Sequence, residues 1–158
     1  MARHIWSIPC REAIIDRFSN SLTLVGVLEE LQVTITKVAD APAGSPPVGT
    51  ADFVVVSHWV KSDEPEADDF KLRSRFYSPS GKLLGQSEHQ FSFKEYRRAR
   101  NVLNVRGLPL PEEGQYTIEL QEPAGESRWK TVAKLPLDVK IKVVEAPVSG
   151  VAQEVATH

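Results

Sequence analysis

The amino-acid sequence predicts an all-β protein: an antiparallel two-sheet sandwich of about eight or nine strands, immunoglobulin-like in outline. Three observations carry that expectation. Val, Ile and Thr number 18, 7 and 7 among 158 residues, and branched β-carbons suit a pleated surface better than a helix. They fall in short runs with a period of two, punctuated by Gly, Pro, Asn and Ser. No stretch of helical length carries a 3.6-residue apolar repeat.

The elements follow in order. Arg3 to Ile15 reads as one strand, with Pro9 the point where it can break. Asp16 to Ser21 is a polar turn, and Leu22 to Val38 returns as one or two strands, with Leu28 to Leu31 at most a short helical turn. Residues 39–51, rich in Pro, Gly and Ala, are expected to be a mobile loop. Asp52 to Lys61 is apolar on both parities, which predicts cover on both faces. Phe70 to Tyr77 is the clearest strand: Phe70, Leu72 and Phe76 share one face, and Lys71, Arg73 and Arg75 the other. Ser78-Pro79-Ser80-Gly81 reverses the chain. The return strand puts Ser87, His89, Phe91 and Phe93 on one face.

Gln115 to Gln121 points Tyr116, Ile118 and Leu120 inward and Thr117, Glu119 and Gln121 outward. After a turn at Pro123 to Glu126, every second residue from Trp129 to Val143 keeps one parity, with Lys130, Lys134, Lys140 and Lys142 on the other. Pro136 lies on the polar parity and predicts an edge or a bulge, because a central strand needs its N–H. Glu112-Glu113-Gly114-Gln115-Tyr116 resembles the acidic-x-Gly-x-Tyr corner of immunoglobulin-like folds, in which the Tyr hydroxyl ties a loop to the strand start. No Cys follows two residues later; residue 118 is Ile. Residues 1–144 are expected to form a single domain and 145–158 a flexible tail.

Composition narrows the function classes. Lys plus Arg is 19 against 21 Asp plus Glu, a net charge of −2, which argues against a nucleic-acid or anionic-membrane partner. Leu22 to Leu28 and Phe53 to Val60 are the longest apolar runs, far below the roughly 20 residues of a spanning helix. Charged residues interrupt the N-terminal segment before a secretory core can form, so a cytoplasmic location is expected. The single cysteine, Cys10, excludes an internal disulfide.

No catalytic or metal-binding constellation stands out, and no cofactor is expected. His4, His58 and His89 are scattered, without a second ligand at metal spacing. The acidic segment Asp63 to Asp69 has the oxygen chemistry of a calcium loop but not its pattern, and reads better as a solvated, self-repelling loop. Cys10 and His4 share a strand parity yet lack any nucleophile context, and Ser57 and His58 point to opposite faces of one strand. Ser80-Gly81-Lys82 has neither the Gly five residues before Gly81 nor the helix of a phosphate loop.

The basic run is the one candidate site. Tyr96, Arg98, Arg100 and Arg106 share the exposed parity of a strand. If it lies in the same sheet as Lys71, Arg73 and Arg75, six cations and one aromatic form a patch for oxyanions, since guanidinium forks match phosphate and carboxylate. The competing reading is an ordinary charged face paired with Glu88, Glu95 and Glu119. Trp6, Trp59 and Trp129 sit at core parities, which favours burial over service as sugar platforms.

Several of these pieces together resemble a bacterial family of uncharacterised small β-sandwich proteins, a domain of unknown function. The matching residues are Ala2-Arg3-His4-Ile5-Trp6, Asp16 with Leu22-Thr23-Leu24-Val25-Gly26-Val27, Arg73-Ser74-Arg75-Phe76, Ser78-Pro79-Ser80-Gly81, Leu108-Pro109-Leu110-Pro111-Glu112-Glu113-Gly114-Gln115-Tyr116 and Leu135-Pro136-Leu137. The similarity spans about residues 2–144 and implies an intracellular bacterial sandwich with no catalytic residues to transfer. Together these readings predict a non-enzymatic interaction module that binds a protein partner or self-associates. The alternative is a module that binds a glycan or an anionic small molecule.

Overall fold

A computed structural model describes residues 2–37, 48–63, 69–94 and 96–145. Nine strands make up these residues: β1 (Ala2–Ile15), β2 (Leu22–Val27), β3 (Glu30–Lys37), β4 (Gly49–Lys61), β5 (Asp69–Tyr77), β6 (Leu83–Ser92), β7 (Arg98–Leu110), β8 (Gly114–Pro123) and β9 (Trp129–Glu145). They form two sheets, ordered β2-β1-β4-β7 and β3-β9-β8-β5-β6. The described residues contain no helix, hence none long and apolar enough to cross a membrane. The predicted all-β sandwich is present.

Alternation explains the packing. Phe53 and Val55 on β4, Leu103 and Val105 on β7, Phe76 on β5, Ile118 on β8 and Leu137 and Val139 on β9 meet between the sheets. A neighbouring cluster sets Trp59 against Phe70, Leu72, Phe93 and Leu120. Each such side chain contributes roughly 1.5–3 kcal/mol on leaving water. The other parity of β4 is covered too: Val54 and Val56 pack with Cys10, Trp6 and Leu24 on the far face of the four-stranded sheet. Cover on both sides of β4 follows its unbroken apolar sequence.

Residues 28 and 29 mark where the chain changes sheets. Leu28 donates its N–H to the Pro9 carbonyl of the first sheet (2.9 Å), and the Glu29 carbonyl accepts from Asp138 of the second (3.1 Å). There is no helical turn here. The crossing lays β3 parallel to β9, from Glu30 beside Asp138 to Lys37 beside Glu145, the one departure from antiparallel pairing among the described residues. It also resolves Leu22 to Lys37 into two strands in different sheets.

Other boundaries shift. Pairing of β3 extends β9 through Glu145, so residue 145 is strand; the rest of the predicted tail lies outside the described residues. The predicted loop 39–51 is described only from residue 48, and Gly49 to Ala51 already belong to β4, paired with Leu110 to Leu108. Of the acidic segment, residues 64–68 lie outside the described residues, and Asp69 opens β5. Pro9 does not break β1; the irregularity falls between His4 and Trp6. Pro136 sits opposite Thr117 of β8, just before β3 begins to pair at Asp138. Its missing N–H is tolerated because β9 is still an edge there.

Two turns behave as their residues require. Gly81, at φ 84°, closes the β5–β6 reversal by donating to the Ser78 carbonyl at 2.9 Å. The Tyr116 hydroxyl donates to the Glu112 carbonyl (2.7 Å) and accepts from the Glu112 N–H (3.3 Å), tying the β7–β8 loop to the start of β8.

Candidate functional site

The seven predicted patch residues do not come together. β5 belongs to the five-stranded sheet and β7 to the four-stranded one, so Lys71, Arg73 and Arg75 face away from the sandwich on one side, and Arg98 and Arg100 on the other. The single six-cation patch required the two strands to be sheet-mates, and they are not.

On the five-stranded sheet Arg73 and Arg75 lie against aromatic rings. Arg73 stands opposite Glu88 and Arg75 opposite Glu119. The Arg73 Nε donates to Gln121 (2.9 Å), and its guanidinium lies 4.3 Å from the centre of the Trp129 ring. Arg75 lies over Tyr77 at 5.2 Å, and Lys134 pairs with Glu119 at 2.9 Å. Lys71 is exposed opposite Gln90. This face is an ordinary mixed surface with cross-strand partners.

Trp129 is there because of a bulge. Leu120 faces Ala133 but Gln121 faces Thr131, leaving Val132 unpaired in β9. One extra residue flips the faces, so Trp129 leaves the core parity predicted for it and lies half-buried under Arg73. Trp59 alone is buried as expected. Its Nε1 donates to Ser57 (2.8 Å), and its ring sits 4.9 Å from Phe70.

A second irregularity separates His4 from Cys10. Beyond the shift between His4 and Trp6, His4 lies beside Trp59, at 5.0 Å, on the inner face. Cys10 pairs with Val54 on the outer one and is completely buried. Burial pushes its thiol up, with a smaller opposing effect from the Glu12 backbone. A protonated, inaccessible thiol on the wrong face is no nucleophile. Ser57 and His58 take opposite faces, as alternation demands.

Arg98 and Arg100, with Arg97 beside them, line a groove on the outer face of the four-stranded sheet. It has a volume of about 630 Å³, bounded by the β1–β2 turn at Asn20 and Leu22 and by Trp6, His58 and residues 96–100. Cross-strand register builds its floor: His58 stands opposite Trp6 on β1 and Arg100 on β7, and Val60 opposite Arg98. Trp6 meets the His58 ring edge-on at 5.5 Å and 80°. Arg100 Nη2 donates to both the backbone and the side-chain oxygen of Asn20, 2.7 Å each. Asn20 has φ 54°, a left-handed conformation Asn tolerates, and this directs both oxygens at the guanidinium.

Arg97 is paired with Asp63 at 2.6 Å on the surface. Arg106 lies about 20 Å along β7 from Arg100 at ~3.3 Å per residue, within a register shift, and contacts Asp52 at 3.4 Å. His58 is held below its ordinary value by burial first, then by Arg98 and Arg100. Its Nε2 is buried and has no hydrogen-bond partner among the described residues.

Sequence patterning found Tyr96, Arg98 and Arg100 but missed Trp6, Asn20 and His58. Parity already set His58 on the face of Val54 and Val56; which strands flank it was not legible from spacing. Among the described residues no three His, Cys, Asp or Glu side chains are grouped as a metal site. No protein-family model matches the chain, and no curated protein does either.

Proposed function

We propose that this protein is a non-enzymatic interaction module that self-associates through the free edge of β2. Four strands end the two sheets: β2, β7, β3 and β6. β7 carries three arginines, β3 carries Glu30 and Lys37, and β6 carries Glu88, the kind of charge that keeps edges from pairing. β2, with the sequence Leu22-Thr23-Leu24-Val25-Gly26-Val27, carries none. Around it Ile14, Ile15, Phe18, Val25 and Val27 are exposed, Phe18 completely.

That uncharged edge is the observation that carries the proposal, and a second copy is the occupant it fits. Antiparallel β2 strands related by a twofold axis bring no like charges together and continue the four-stranded sheet across the interface. The separation of His4 from Cys10 and of Ser57 from His58 supports a non-enzymatic role. The Tyr116 tie and the parallel β3–β9 pair support an immunoglobulin-like arrangement, and the free thiol of Cys10 fits a cytoplasmic setting.

Sedimentation equilibrium tests the proposal. A dimer is expected at micromolar concentration, converted to monomer by Val25→Lys with the circular-dichroism spectrum unchanged. A wild-type chain that stays monomeric at 100 µM (about 1.8 mg/ml), or a Val25→Lys variant that still dimerises, overturns it.

A further inference from the structure

We propose that the groove bounded by Asn20, His58, Arg98 and Arg100 binds the phosphate dianion of a small molecule, free or as a monoester. Its volume of about 630 Å³ lies within the usual ~300–1,000 Å³ of small-molecule sites. Among the described residues its lining contains three arginines and no carboxylate. Arg97 is neutralised by Asp63; the other two are not. Asn20 is uncharged, so its two hydrogen bonds orient the Arg100 guanidinium without cancelling its charge. Arg98 has no ion-pair or hydrogen-bond partner among the described residues.

Arg100 stands opposite His58 on β7 and Arg98 two residues before it, and the buried imidazole Nε2 lacks a partner among the described residues. Such a nitrogen costs about 1–3 kcal/mol while it stays unsatisfied, and gathering guanidinium groups around it raises the cost of protonating it. An oxyanion in the groove relieves that electrostatic cost. Its oxygens accept from Arg98 and Arg100, whose forks match phosphate geometry, and its charge offsets their field at His58. A phosphate dianion supplies three oxygens and two charges for the two guanidinium forks, where a carboxylate supplies two oxygens and one charge. Trp6 and Leu22 provide an apolar wall for an organic substituent.

The site meets the β2 edge only at Leu22, and Val25 is not among its lining residues, so a monomeric Val25→Lys variant is expected to keep it. Calorimetric titration of the full chain at pH 7 and low ionic strength, with inorganic phosphate and with phenyl phosphate, tests the inference. Binding at millimolar affinity or better is expected. Arg98→Gln should weaken it at least tenfold, and Arg106→Gln, a cation at the far end of β7, should not change it. Proton NMR should show the His58 pKa rising when phosphate binds, since the anion offsets the field of Arg98 and Arg100; Trp6, the other side chain against the ring, is neutral.

Phenyl phosphate binding tenfold tighter than phosphate identifies an organic ester as the ligand; equal affinities identify free phosphate. Failure of both anions to bind at 10 mM overturns the inference, as does equal weakening by Arg106→Gln, which would reduce it to general charge attraction.

Discussion

Removing one oxygen, in Tyr116→Phe, tests how the β7–β8 loop is held. Tyr116 is 2% exposed, so Phe keeps the packing and leaves no cavity. Two hydrogen bonds are lost, the 2.7 Å donation to the Glu112 carbonyl and the 3.3 Å acceptance from its N–H. At about 0.5–1.5 kcal/mol each, with the longer bond at the low end, the loss is about 1–2 kcal/mol. For a chain of this length that lowers Tm by about 2–4 °C per kcal/mol, or roughly 5 °C in all.

More than one loop depends on this tie. Glu112 accepts from the Ser80 hydroxyl (2.6 Å) and N–H (3.1 Å) at the β5–β6 turn. Glu113 accepts from the Ile141 N–H of β9 at 2.6 Å. A Glu112→Gln substitution should therefore show a coupling energy with Tyr116→Phe in a double-mutant cycle. Urea unfolding followed by tryptophan fluorescence and by circular dichroism measures both. A loss below about 0.5 kcal/mol for Tyr116→Phe, within the range of ordinary surface changes, would refute the account of the loop as anchored by this hydroxyl.

Three further outcomes follow from packing and charge. Trp59→Ala should cost about 3–5 kcal/mol because its ring is completely buried against Phe70 and Phe91, while Phe18→Ala should stay within about 0.5 kcal/mol; similar losses in denaturant titration would contradict the core assignment. Gly114→Ala should destabilise by about 1–3 kcal/mol, since a Cβ at φ 130° would stand 2.9 Å from Pro79, whereas at Gly85 the nearest atom is 3.9 Å away and Ala should be tolerated in a thermal melt. Burial raises the Glu122 carboxyl, with Lys130 offsetting part of the effect. The folded chain thus holds that proton to higher pH than the unfolded chain. Stability should fall as pH rises from the ordinary carboxylate range through the raised value, and Glu122→Gln should remove that component from a pH series of urea midpoints.

Strand identity was written locally, since a period of two is a property of neighbouring residues and needs no partner. Phe70 to Tyr77, Tyr116 to Leu120 and the double-sided apolar run of β4 lie where alternation put them, and the turn at Gly81 and the hydroxyl tie of Tyr116 depend on only a few adjacent positions. Which strands share a sheet is set by long-range register, and there the tertiary structure decided. The crossing at Leu28 and Glu29 placed β2 and β3 in different layers, and sheet order put β5 and β7 on opposite sides, dividing the arginines. Bulges at the start of β1 and at Val132 turned His4 inward and Trp129 outward, because one added residue reverses every face beyond it. His58, Asn20 and Arg100 meet only through cross-strand contact: separations of 38 and 42 residues along the chain carry no signal that backbone pairing across β4 and β7, and a turn folded over them, will close the distance.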